Sequence, residues 1–246
     1  MPKLPLKWQA ALAGVALMGV TAAIAAVREG RAQDQMLRAD PDNMPTGLLN
    51  AAASKGSAVF RAHCAACHGD DGKGDHALGV PDLTDRDWLY GSGRISEIAQ
   101  TIRYGIRSGD PRGHALADMP AFAQPKPYAK EDLLPLSADD IQDMTAYLLR
   151  LEGRPAQADA AERGNRVFHT RGACWDCHGQ DGKGDDSVGS PNLADRTWLY
   201  GGGTPTEIFR SIADGHAGRC PAQTGHLSAA EILEAAAYVW SKGGGS

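Results

Sequence analysis

Aromatic side chains are scarce, at 6% of 246 residues, and no methionine occurs after Met144. Positive charge is not in excess either: 25 Lys and Arg stand against 30 Asp and Glu, for a formal net charge of −5. That balance argues against nucleic acid as a partner and is compatible with a basic protein surface. There is no Ser/His/Asp arrangement, no phosphate-binding glycine loop and no basic stripe, so the usual signatures of hydrolases and nucleotide binders are missing. Cysteine is limited to five residues. Four of them fall in two copies of one motif.

Cys64-Ala65-Ala66-Cys67-His68 recurs 110 positions later as Cys174-Trp175-Asp176-Cys177-His178. Laid over each other without a gap, Cys64–Gly105 and Cys174–Gly215 agree at 23 of 42 positions, so the chain is built on an internal repeat. C-x-x-C-H is the attachment signature of c-type haem: two thiols bond the haem vinyl groups and the adjacent histidine ligates the iron. The cysteine spacing also builds zinc knuckles, but a zinc site is not expected to place histidine directly after the second cysteine in both copies. Two covalently bound haem c groups are therefore expected, one at Cys64, Cys67 and His68, the other at Cys174, Cys177 and His178. Size agrees, because a domain of roughly 80 to 100 residues has a marginal core and a porphyrin offers a large apolar body for a small helical shell to close around.

Met1 to Lys7 carries two lysines, and Trp8 to Val27 contains no charged residue. About twenty residues rising about 1.5 Å each reach across the hydrocarbon layer, so residues 1–32 are expected to form an N-terminal membrane anchor. A cleaved signal peptide competes, since Ala23-Ile24-Ala25 and Gly30-Arg31-Ala32 offer small residues to a peptidase. Residues 33–53 cluster Asp, Pro, Asn and Gly without periodicity and read as a tether. One helical domain is expected over 54–152, opening at Ser54 and running into Cys64; a linker follows over 153–162 and a second domain over 163–246. Ser137 and Ser228 are N-cap candidates, with Asp140 and Glu231 three residues on to complete capping boxes. The apolar residues after each cap fall at helical spacing, so the fold class is all-α.

Gly56 and Phe60, then Gly164 and Phe168, stand in the opening helices, and Tyr147 and Tyr238 in the closing ones. With these residues and its two haem motifs, the chain resembles the class I cytochromes c. In that family the opening helix crosses the aromatic-bearing closing helix of the domain. A closer resemblance is to the membrane-anchored diheme cytochrome c subunit of C-family, cbb-type haem–copper oxidases. It is carried by Cys-His-Gly-x-Asp-Gly-Lys-Gly-Asp, Pro-x-Leu and Trp-Leu-Tyr-Gly. These elements stand at His68–Asp75, Pro81–Leu83 and Trp88–Gly91, and again at His178–Asp185, Pro191–Leu193 and Trp198–Gly201.

The resemblance implies two tandem class I domains behind one N-terminal transmembrane helix, in the bacterial inner membrane with the globular part in the periplasm. It implies electron transfer among redox proteins: a haem–copper oxidase, a quinol-oxidising complex or a periplasmic dehydrogenase. In such cytochromes the distal methionine lies in a loop and is commonly followed by proline. That makes Met119-Pro120 the expected sixth-ligand site of the first-domain haem, with His114 as the alternative.

The second domain departs from the pattern, having no methionine. Aligning the closing helices puts Cys220-Pro221 opposite Met119-Pro120, after a loop nine residues shorter. The expectation is a His178/Cys220 haem of lower potential, because a thiolate donates more charge to iron than a thioether; His216, His226 or an open position are the alternatives. His/Cys haems also occur in sulfur-oxidising proteins such as the thiosulfate dehydrogenases, so an enzyme oxidising a sulfur compound at the Cys220 haem stands as the second functional reading. Trp88, Tyr90, Trp198 and Tyr200 are candidate donors to haem propionates or rim packing. Asp70–Asp75 superficially resembles a calcium loop but lacks the bidentate glutamate and reads as a tight turn.

Overall fold

The computed structural model describes residues 6–116, 118–125 and 135–244. In chain order the helices are α1 (Leu6–Arg38), α2 (Thr46–His63), the single turn α3 (Ala65–His68), α4 (Ile95–Tyr104), α5 (Ala138–Leu151), α6 (Ala158–His169), the single turn α7 (Trp175–His178), α8 (Pro205–Asp214) and α9 (Ala229–Val239). Among the described residues only isolated bridges pair extended backbone, in keeping with an all-α chain. Both expected capping boxes are present: the Ser137 and Ser228 hydroxyls accept from the Asp140 and Glu231 N–H, and each carboxylate accepts from its cap.

Two stretches expected to be irregular are helical. Of the tether over 33–53, α1 takes the start and α2 the end, leaving 39–45, where Asp40 caps a short 3-10 turn at Pro41–Asn43. Ala52, Met36 and Met44 are buried in one cluster, with Leu48 and Leu49 packed against it; burying them outweighs the weak local periodicity. The linker expected over 153–162 is likewise invaded by α6. Ala161 of that helix is buried along with Gly164, Val167 and Phe168.

The larger departure is in which helices pack together. α2 packs on α9, and α5 packs on α6. Each opening helix therefore crosses the closing helix of the other repeat, not of its own. Phe60 meets Tyr238 at a ring separation of 5.2 Å, and Phe168 meets Tyr147 at 5.3 Å. The two crossings rest on the same device. A Cβ on Gly56 would lie 1.9 Å from the Glu234 carbonyl oxygen, and one on Gly164 would lie 2.1 Å from that of Asp143. Glycine is what lets the backbones approach this closely.

Two cores result. One joins α2, α4 and α9 around Phe60, Ile98 and Leu233; the other joins α5, α6 and α8 around Phe168, Met144 and Ile208. The connection from α5 to α6 is only residues 152–157, and a short connection keeps sequence neighbours adjacent in space.

α1 meets the first core at its C-terminal end, where Met36 is buried and Glu29 pairs with Lys55. Further back, Leu17, Met18, Val20, Ile24 and Val27 are exposed. Among the described residues no helix is long and apolar enough to cross a membrane by mean hydropathy. Residues 1–5 of the expected anchor lie outside the described residues.

Candidate haem sites

Each attachment motif is one helical turn. In the first, the Cys67 and His68 amides donate to the Cys64 carbonyl; in the second, the Cys177 and His178 amides donate to that of Cys174. Residues three apart on a turn share a face, so both thiols point the same way with the imidazole beside them. Gly69 and Gly179, both at φ 75°, end the turns. The glycine-rich segments then fold back tightly, Gly74 N–H donating to the His68 carbonyl and Gly184 N–H to that of His178.

The next segment orients the imidazoles. His68 Nδ1 lies 3.2 Å from the Pro81 carbonyl oxygen and His178 Nδ1 lies 3.0 Å from that of Pro191. Since a carbonyl only accepts, Nδ1 carries the proton and Nε2 is left bare to ligate a metal. Burial lowers the pKa of both histidines, outweighing the opposing effect of the proline carbonyls, so both rings stay neutral near pH 7. The prolines of the two Pro-x-Leu elements thus have a defined task.

Both motifs open into one continuous cavity of about 560 Å³, whose walls include Cys64, Cys67 and His68 as well as Cys174, Cys177 and His178. Two buried donors on this cavity, the Tyr90 hydroxyl and Trp198 Nε1, have no hydrogen-bond partner among the described residues. Buried polar atoms without partners are rare and ask for a ligand. Apolar walls, paired thiols, a bare imidazole nitrogen and spare donors suited to a propionate together fit a covalently held haem in each half.

Met119 and Cys220 both line the cavity, but on different sides from those expected. Met119 and His216 exchange backbone hydrogen bonds of 2.9 Å, and the Phe122 amide donates to the Ile212 carbonyl; Met119 packs against the core that contains Phe168 and Cys174. Cys220 and Ile106 form the equivalent pair, at 3.0 and 2.9 Å, and the Gln223 and Thr224 amides donate to the Ile102 and Arg103 carbonyls. That strip belongs to the end of α4, on the core against which Cys64 packs. Each loop thus follows its exchanged closing helix: Met119 packs on the core that contains Cys174, and Cys220 is tied to the segment just past α4. Burial pushes the Cys220 thiol up, with Cys67 adding to it. Burial, then Cys220 and Cys67, push Cys64 up to about 11.

The alternative histidines are otherwise engaged. His114 stacks on Tyr90 with centroids 4.0 Å apart and shares a hydrogen bond with the Thr101 hydroxyl; His216 stacks on Tyr200 at 3.5 Å and shares one with that of Ser211. His226 is exposed.

One feature escaped the sequence reading. Tyr90 sits over Gly189 and Tyr200 over Gly79, where a Cβ would come within 2.1 and 1.9 Å of the rings. The tyrosine of each Trp-Leu-Tyr-Gly element therefore covers the haem loop of the other repeat. A glycine opposite an aromatic at matching places in both repeats was the available signal.

This fold and these paired sites define a c-type cytochrome with two haem-attachment lobes. The "Cytochrome c" family model matches residues 53–152, and the model for "Cytochrome C oxidase, cbb3-type, subunit III" matches residues 159–239. The cbb3-type cytochrome c oxidase subunit FixP of Azorhizobium caulinodans is 41% identical, over 80% of this chain and 62% of its own length. FixP of Bradyrhizobium diazoefficiens is 40% identical over 84% and 66%, and subunit CcoP of Rhodobacter capsulatus 38% identical over 85% and 67%. The match therefore spans just under two thirds of the first two relatives. The chain belongs to the family of cbb3-type oxidase diheme cytochrome c subunits.

Proposed function

We propose that this chain is the electron-delivering subunit of a cbb3-type haem–copper oxidase, passing electrons through two haem c groups towards the oxidase. The observation that carries this reading is the pair of C-x-x-C-H turns opening into one shared cavity. Haem supplies a one-electron iron couple when bound. The chain does the rest. The thiols of Cys64, Cys67, Cys174 and Cys177 fix two macrocycles, and His68 and His178 present Nε2 in a set orientation. Phe60 and Phe168, exposed by only 1% and 0%, seal the backs of the pockets. Tyr90 and Trp198 are placed to donate to propionates.

The globular part is periplasmic and is held at the inner membrane by α1, a reading supported by the uncharged run Trp8 to Val27 and the exposed apolar residues along it. Expression with a haem-attachment system should yield two covalent haem c per chain, sedimenting with membranes. The reduced protein should pass electrons to a cbb3-type core depleted of its own diheme subunit. Failure of that transfer, together with steady turnover of thiosulfate, would move the chain to the sulfur-oxidising class.

A further inference from the structure

We propose that axial ligation is exchanged between the two repeats: Cys220 completes the coordination of the haem attached at Cys64, Cys67 and His68, and Met119 that of the haem attached at Cys174, Cys177 and His178. The inference rests on the two-haem reading above and adds which side chain faces which iron.

Three independent features carry it. The first is the backbone. Cys220 is tied by two hydrogen bonds to Ile106, and Gln223 and Thr224 are tied to Ile102 and Arg103. These follow directly on α4, and Ile102 packs with Cys64, Ala65 and Phe60 in the first core. Met119 is tied in the same way to His216, just past α8 and its Ile208 and Ile212, which share the second core with Cys174. The second is the helix exchange, in which α9 follows Cys220 into the first core and α5 follows Met119 into the second. The third is that both sulfur side chains line the cavity into which His68 and His178 open. His114, the other first-repeat candidate, is stacked on Tyr90 and bonded to Thr101.

Two consequences follow. The thiolate-ligated, lower-potential haem is the one attached to the first repeat, and the thioether-ligated, higher-potential haem is attached to the second. With iron bound there, the Cys220 thiol would give up its proton to solvent on becoming a ligand. Neither repeat holds a complete ligand set on its own.

The test uses the full, haem-loaded chain. In the ferric protein, electron paramagnetic resonance should show one low-spin thiolate signal that disappears in Cys220→Met. The same signal should be lost when Cys64 and Cys67 are both changed to serine and retained when Cys174 and Cys177 are. The reverse pattern in the two attachment variants would overturn the exchange, and absence of the signal from the wild type would overturn Cys220 as a ligand. A second measurement needs no variant in the attachment sites. In the reduced protein, the ring-current-shifted methyl of Met119 should show Overhauser contacts to Ile208 and Ile212. Contacts to Ile98 and Ile102 instead would overturn the proposal. Two covalent haems found with an unexchanged pattern would leave the electron-transfer reading standing and remove only this inference.

Discussion

The two lobes hold haem with nearly the same residues and close over it with different ones. Around His68 and His178 the turn, the proline carbonyl and the glycine fold-back superimpose in kind. The closing segments differ: a long loop brings Met119 to one lobe and a loop nine residues shorter brings Cys220 to the other. Attachment geometry is thus duplicated while the closing segments are individual, which under the proposed ligation would give one repeat unit two haems of unequal potential. The exchange of closing helices adds a mechanical consequence. A change in one repeat is felt first by the other repeat's last helix.

The sharpest way to break that comparison is to remove a crossing aromatic. Phe60→Ala and Phe168→Ala each delete a ring at a fully buried site, at a cost of about 3–5 kcal/mol. In hydrogen exchange of the haem-loaded chain, Phe60→Ala should lower protection in α9 and Phe168→Ala in α5. Loss in α5 on changing Phe60 would mean that each repeat closes on itself. Next in size are Gly56→Ala and Gly164→Ala. A new methyl would strike the Glu234 or Asp143 carbonyl, and forced separation of packed helices costs about 1–3 kcal/mol, read as an earlier denaturation midpoint.

A smaller effect should separate the lobes by potential. Tyr90→Phe and Trp198→Phe each remove one buried donor left without a partner among the described residues. A hydrogen bond to a charged acceptor is worth about 1.5–3 kcal/mol, and only the part that differs between the ferrous and ferric states shifts a potential. A change on the order of tens of mV is therefore expected. Redox titration should show each substitution moving mainly one of the two waves. Equal movement of both would mean that the donors serve the cavity as a whole.

What could be read from the sequence divides along the same line. The haem turns, the caps at Ser137 and Ser228 and the repeat itself are local, and each was legible from a few adjacent residues. Helix partnership was not, because the two crossings are chemically interchangeable. Gly56 and Phe60 match Gly164 and Phe168, and Tyr238 matches Tyr147. Even the flanking charges agree in sign, with Lys55 near Glu234 and Arg163 on Asp143. A pattern that satisfies either pairing cannot choose between them; the short 152–157 connection can, and that is a property of the whole chain. That Met119 packs on the second core and that Cys220 is tied to the segment just past α4 could not be read for the same reason.

The finest comparison concerns the caps of α4 and α8. Burial raises the Glu97 pKa, but hydrogen bonds from Arg94 and Ser92 prevail and hold it at about 2, against an ordinary 4.5. Glu207 is lowered by its hydrogen bonds from Thr204 and Gly202. A carboxyl depressed in the folded state contributes stability that is present above its unfolded pKa and is lost as pH falls through the folded one. For Glu97 that window runs from about 4.5 down to about 2. The thermal midpoint of Glu97→Gln should therefore lie below that of the wild type at pH 6 and converge on it towards pH 2, with Glu207→Gln converging in the same direction. Both acids cap homologous helices through the same contacts. Parallel curves would place the caps with the duplicated part of the molecule, and divergence would place them with the individual part.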